Sequence, residues 1–322
     1  MTTFRSRWLV AAFAAAGLVT WTVPRRAEAC GSCRGPGGAG SALTAPWQKY
    51  GVSLTETMRL GHGIFDSKGK YRSFGPDSHD RVIELGMSAA YRPIDEIELG
   101  ATTAYGNVLV GGPSFRSGRA ALGDLGLRAR WEVLEEPAIE LPSGSRRPSL
   151  GLTLSVRLPT GTVDRSGDSG SGPSPGTVGS TATSQGLGTT EVALAIDMRK
   201  TFAQRFQLGA VVEGAWRAPD DAIGLHRSLG PRGLARIMAI VFEEDLTVGV
   251  FADLAAEADV AYDGRTSKES GQRSMSVGTS ASLKTDLGFR SGLALAYQPP
   301  IDGVSINAVA ATSLTAFIAY TK

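Results

Sequence analysis

Two cysteines and three histidines are the residues of this 322-residue chain best suited to metal or nucleophilic chemistry, and their spacing decides what they can do. Cys30 and Cys33 stand as C-G-S-C in a glycine-rich segment running to Gly40. At that spacing two thiols can close a small disulfide, remain a surface pair, or supply two ligands to a metal. A closed zinc site needs four ligands, and His62, His79 and His226 lie far along the chain, so metal is the weaker reading. The histidines could serve as general bases. No G-x-S-x-G elbow lies beside any of them, however, so the nucleophile, base and orienting group of a hydrolase are not brought together by the sequence. Neither an enzyme nor a resident cofactor is expected.

The elements that hold these residues begin with an export signal. Arg5 and Arg7 precede an apolar run from Trp8 to Val23 and then Ala27-Glu28-Ala29, an A-x-A cleavage site, so residues 1–29 read as a signal peptide. A lipoprotein reading of Ala29-Cys30 competes with it, though Ala27 and Glu28 suit that peptidase poorly. Residues 30–49 form a glycine-rich N-terminal segment and 50–322 a single folded unit. No segment after the signal offers the ~18 uncharged apolar residues of a spanning helix, so any membrane crossing must be made by strands. A net charge of +2 argues against a nucleic-acid partner.

From Gly51 onward the pattern has period two. Leu150, Leu152, Leu154, Val156 and Leu158 alternate with Gly151, Thr153, Ser155 and Arg157, and Leu125, Leu127, Ala129 and Trp131 alternate with Gly126, Arg128, Arg130 and Glu132. Strands are predicted near 51–65, 81–92, 97–108, 123–134, 149–162, 189–200, 206–217, 233–243, 246–258, 273–284, 290–298 and 306–320. That is about twelve, an even number as in bacterial single-chain barrels. Long glycine-rich connections alternate with short ones such as Pro93 to Glu96 and Glu243 to Asp245. Tyr91, Trp131, Phe242 and Tyr320 fall on the apolar parity near one set of strand ends, with Tyr105, Trp216 and Tyr297 near the other, as interfacial girdles would. A soluble β-sandwich also alternates, but predicts neither the loop rhythm nor the girdles. The fold expected is all-β: a transmembrane antiparallel up-and-down β-barrel of the outer membrane. Glu56 shares parity with Leu54 and Met58, which calls for a β-bulge or a local misreading there.

The inward face then carries the candidate pathway. Its ionisable residues include Arg59, Glu84, Glu98, Arg128, Arg130, Arg157, Glu191, Glu213, Asp253 and Lys284. Both signs are equally represented, so strong ion selection is not expected. Arg128 and Arg157 against Glu213 and Asp253 would set a transverse field across a constriction, or all of them could close into salt bridges that stiffen the barrel. Val211, Ile237, Val241 and Phe251 fall on the inward parity as an apolar wall, unless the strand holding Arg236 is slipped by one residue. Small inward residues such as Ser274, Ser276, Gly278 and Ser280 leave room for a narrow passage.

Three motifs occur in order: Leu122-Gly123-Asp124-Leu125-Gly126-Leu127, then Leu154-Ser155-Val156-Arg157-Leu158-Pro159-Thr160-Gly161-Thr162, then Gly186-Leu187-Gly188-Thr189-Thr190-Glu191 after a Gly/Ser loop. In order and spacing the chain resembles the outer-membrane transporters associated with the meta-cleavage pathway of phenol degradation. The resemblance implies an outer-membrane barrel linked to uptake of hydrophobic or aromatic compounds, and it carries over no catalytic residue. The function expected is a channel or transporter for small solutes; the alternative is a closed structural or adhesive barrel. Partners expected are outer-membrane lipid, a small-molecule solute and the barrel assembly machinery.

Overall fold

A computed structural model describes residues 48–76, 78–112, 115–135, 147–161, 188–202, 205–222, 225–243 and 245–322. The signal segment, Cys30, Cys33 and nearly all of the Gly/Ser loop 164–188 lie outside the described residues. The strands are β1 (Tyr50–Phe65), β2 (Tyr71–Ser73), β3 (His79–Ile94), β4 (Ile97–Gly112), β5 (Phe115–Leu122), β6 (Leu125–Leu134), β7 (Ser149–Leu158), β8 (Glu191–Phe202), β9 (Phe206–Arg217), β10 (Asp220–Ala222), β11 (Leu225–Ser228), β12 (Arg232–Glu243), β13 (Leu246–Glu257), β14 (Ala261–Tyr262), β15 (Arg265–Thr266), β16 (Gln272–Lys284), β17 (Phe289–Tyr297) and β18 (Val309–Thr321).

Twelve of these are staves of a closed antiparallel barrel, in the order β1, β3, β4, β6, β7, β8, β9, β12, β13, β16, β17, β18. The last pairs with the first from Gly51↔Thr321 to Ile64↔Val309. Closure leaves no unpaired edge, so the backbone of every stave is satisfied by its two neighbours. The amides of Lys49 and Tyr50 donate to the Lys322 carbonyl at 2.7 and 3.0 Å, which fastens the two ends of the barrel sequence together. That rim, with the short turns, is the termini end; the long connections gather at the loop end.

Alternation makes the barrel inside-out. The outward residues Val52, Leu154, Leu194, Ile196, Val212 and Val250 are half or more exposed, while inward Glu98 and Arg130 are 0% and 2% exposed. A continuous apolar exterior of this kind is stable against hydrocarbon, not water. Tyr91 and Trp131 face outward near the termini end, and Trp216 and Tyr297 near the loop end.

The loop end is tied together from several connections. Strands β10, β11, β14 and β15 form a small second sheet in which Arg227 pairs with Asp220 through two bonds of 2.8 and 2.6 Å. Asn307 donates to the Glu269 and Gly271 carbonyls at 2.7 and 2.8 Å. The Asp66 carboxylate accepts the amides of Lys70 and Lys68, and these bonds, with Arg72 beside it, hold it below its ordinary pKa.

Three sequence expectations are corrected. The connection at 108–122 is largely a hairpin: β4 runs on to Gly112 and β5 returns beside it. Tyr105 opposes Leu122 but Thr102 opposes Gly126, so Gly123, Asp124 and Leu125 stand against Thr103 and Ala104, a bulge where β5 gives way to β6. Glu56 needs no bulge: the register of β1 with both neighbours is unbroken there, and the carboxylate lies on the outward face opposite Ala316 and Leu85. In β12 the parity is reversed. Ile237 is 65% exposed and Val241 46%, both outward, while Arg236, Met238, Ile240 and Phe242 turn inward. The two faces of that strand are almost equally apolar between Gly233 and Phe242, so the arginines, Arg232 and Arg236, distinguish them. A guanidinium is far less costly opposite Asp253 than in contact with hydrocarbon. Phe242, 6% exposed, therefore leaves the predicted girdle and joins the interior.

Ile237→Arg is expected to destabilise the barrel by about 2–4 kcal/mol, and Met238→Leu by less than about 1.5 kcal/mol, in urea titrations of protein folded into lipid vesicles.

Candidate functional site

The interior is organised by ion pairs lying flat against glycines. On β3, β4, β6, β7 and β8, near the termini end, Arg92 Nη2 reaches Glu98 at 3.5 Å and Arg128 Nη2 reaches the other oxygen of Glu98 at 2.9 Å. Arg130 donates to both oxygens of Asp197, at 3.0 and 2.9 Å, and to Glu132. Arg199 reaches Glu132 at 3.3 Å and Asp197 at 3.6 Å. A Cβ on Gly151 would collide with the Arg130–Asp197 pair, and one on Gly100 would stand 2.5 Å from Arg128 Nε. The glycines are thus seats for guanidiniums, which run along the wall rather than across the lumen.

A second network occupies the loop half. Arg217 grips Glu257 through bonds of 2.5 and 3.1 Å and Glu191 at 2.9 Å, while Arg232 joins Glu191 at 3.1 Å to Glu213 at 2.8 Å. Between the two, Arg236 Nη2 donates to Asp253 at 2.6 Å and its guanidinium lies 5.1 Å over the Phe251 ring. Ser276 adds a 3.4 Å bond to Asp253. Burying such charges is tolerable because each is paired and hydrogen-bonded.

Arg59, Glu84, Glu98, Arg128, Arg130, Arg157, Glu191, Glu213, Asp253 and Lys284 lie on the strand face opposite the exposed apolar one, where the charges of both signs largely cancel. Arg128 is held by Glu98, Glu213 by Arg232 and Asp253 by Arg236. Arg157 is the exception, with Glu191 no nearer than 3.9 Å. Lys284 sits inward at the termini end of β16, its amide bonded to the Asp245 carbonyl. Of the apolar wall, Val211 and Phe251 face inward; Met238, Ile240 and Phe242 stand where Ile237 and Val241 were expected. The Phe251 ring packs on Gly278, where any Cβ would strike it.

Accessibility divides the interior in two. Near the termini end Glu98, Arg92, Arg130, Gln207, Ile240 and Phe242 are all buried. Towards the loop end Glu191 and Arg217 are buried against each other, but Arg59, Glu84, Ser155, Arg157 and Ser276 are only half-buried. The lumen therefore has a vestibule over a packed, ion-paired and aromatic constriction.

The three ordered motifs meet at the loop end. The Gly161 amide donates to Asp124 Oδ1 at 2.9 Å, and the Leu125 amide to Thr160 Oγ1 at 2.8 Å. Gly188 takes φ +75°, and after it Thr189 Oγ1 and Thr190 bond to Ala218. His62 and His226 have structural partners, Tyr71 at 3.2 Å with a stack on Tyr297 for the first and Asp221 at 3.3 Å for the second.

Among solved structures the chain is similar to an outer membrane channel from Pseudomonas putida F1, with 15% identity, coverage of 89% of this chain and 99% of that one, and a TM-score of 0.69. Looser likenesses are to the NanC porin (7% identity, 84% and 98% covered, TM-score 0.47) and to the Pseudomonas putida toluene transporter TodX (9%, 86% and 90%, TM-score 0.39). The fold assignment rests on the first: this is the architecture of an outer-membrane β-barrel. No family model matches the chain, and no curated protein matches it.

Asp197→Ala leaves buried Arg130 with Glu132 as its carboxylate partner, itself shared with Arg199, and is expected to cost about 1–3 kcal/mol, whereas Arg130→Met with Asp197→Leu should recover most of that loss; urea unfolding of the variants reads the difference.

Proposed function

We propose that the chain is an outer-membrane channel for small solutes, its termini end in the periplasm and its long connections outside. The observation that supports this best is the divided interior: a half-buried vestibule lined by Ser155, Arg157, Glu84 and Ser276 above a constriction that two aromatic rings, Phe251 and Phe242, help to fill. Export by a signal cleaved after Ala29, insertion by the barrel assembly machinery and a lipid annulus against the apolar exterior complete the reading.

The solute class proposed is hydrophobic or aromatic. The inward run of Val211, Met238, Ile240, Phe242 and Phe251 on three neighbouring staves supports it, because a purely polar passage would have no use for these side chains. The resemblance of the three ordered motifs to those of the meta-cleavage transporters supports the same reading. A second reading, a closed structural barrel, is favoured by the dense ion pairing of the termini half, where Glu98 and Arg130 are almost wholly buried.

Planar-bilayer recording separates the two. The refolded mature barrel is expected to open in discrete steps, and Phe251→Ala to raise the unit conductance roughly twofold by removing a ring from the constriction. A folded barrel that never conducts, with or without the Phe251 ring, supports the closed reading.

A further inference from the structure

The pairing pattern leaves two cations open to a solute. The Arg157 and Arg59 side chains are each 42% exposed, against 3% for Arg217 and 8% for Arg128. Arg59 is held by one nitrogen, 3.1 Å from Asp80. Arg157 is held less: Glu191 is 3.9 Å away and already accepts from Arg217 and Arg232 at 2.9 and 3.1 Å. Among the described residues its guanidinium fork therefore keeps donors that no carboxylate takes up in a close hydrogen bond, in the part of the lumen that solutes reach first. Around it the wall is small. Gly126 stands opposite Arg157 on β6, and Thr102 opposite Gly126 on β4. The charges facing Arg157 are Glu191 on β8, Arg217 beyond it on β9, and Glu84 on β3, which lies within electrostatic reach of both Arg157 and Arg59.

We propose that Arg157, with Arg59 as a second and weaker donor, is an anion-recognition position in the vestibule that takes the carboxylate of a small organic acid. A planar guanidinium matches a carboxylate through two parallel hydrogen bonds, which a spherical halide cannot use. The apolar body of such an anion has a place to go. Met238, half-buried, and Val211 lie on β12 and β9 further towards the termini end than the level of Arg217, which is in register with Glu191. Equal numbers of lumenal charges of both signs do not cancel this preference, because Glu98, Glu132, Glu191, Asp197, Glu213, Asp253 and Glu257 are held in close wall-bound pairs while the guanidinium of Arg157 is not, and Glu84 is the acid that opposes it. The inference rests on the channel reading for its role in transport, but the binding position can be tested without transport.

Isothermal titration of benzoate into the full mature barrel in detergent reads the position directly, with benzyl alcohol as the uncharged counterpart. Benzoate should bind the wild type, and about tenfold more weakly to Arg157→Ala, the loss of one charge-assisted hydrogen-bonded pair. Benzyl alcohol should not distinguish the two proteins, and Arg157→Lys should recover only part of the affinity because it keeps the charge and loses the fork. In planar bilayers under a KCl gradient the wild type should favour the anion, Arg157→Ala should bring the permeability ratio to about one, and Glu84→Gln should raise it. Benzoate binding that is unchanged in Arg157→Ala overturns the proposal, as does a conducting barrel that favours K⁺. Arginine-dependent benzoate binding in a barrel that never conducts supports the site and removes the channel. Arg157 makes no close buried pair, so its variants should fold as the wild type does, which heat-modifiable migration in electrophoresis verifies.

Discussion

A closed antiparallel sheet with an apolar outer face gives its inward side chains no solvent except water that can enter the ends, and the rest of this structure follows from that constraint. Guanidiniums and carboxylates drawn inside by the period-two pattern must find each other, and they do so across staves: Arg130 with Asp197, Arg217 with Glu257, Arg236 with Asp253. The opposite choice, charges outward, would place them in hydrocarbon at several kcal/mol each. Glu56 is the outward carboxylate that resists this logic, and nothing in the structure explains it.

The pairs in turn dictate where glycine must occur. A guanidinium lying along the wall needs the adjacent stave to have no Cβ, as Gly151 has none beneath Arg130 and Asp197, and Gly100 none beside Arg128. The same device seats the Phe251 ring on Gly278 and the Phe317 ring on Gly292. Large side chains folded down in this way lie along the wall rather than across the lumen. Where they crowd together near the termini end, they make the constriction. Glycine here is a statement about the neighbour's side chain rather than about turns.

Most of the architecture was legible in the sequence because a barrel stave carries its own signature: nine or more residues of strict alternation, ended by turn residues. The boundaries of β9 were read without error, and those of β8, β13, β16 and β17 within two residues. The reading failed where alternation carries no contrast. In β12 apolar residues stand on both faces, Leu234, Met238, Ile240 and Phe242 on one and Ala235, Ile237, Ala239 and Val241 on the other, so the assignment depended on where Arg236 pointed, and its partner Asp253 had already been placed inward on the next stave. The hairpin at β4 and β5 was hidden because glycines and serines in Gly111 to Gly118 imitate a loop. For the site, sequence could say which charges face inward but not which neutralise each other. That depends on stave register and side-chain reach, which make Arg128 part of the wall and leave Arg157 accessible.

The central claim is a watery vestibule enclosed by an apolar exterior, and cysteine accessibility in membrane vesicles tests it most directly. In a background with Cys30 and Cys33 replaced by serine, Ser155→Cys and Ser276→Cys should react with a membrane-impermeant thiosulfonate, while Leu154→Cys and Ile237→Cys should react only with a lipid-soluble maleimide. Labelling of the outward pair by the impermeant reagent, or refusal of the inward pair, would contradict the account.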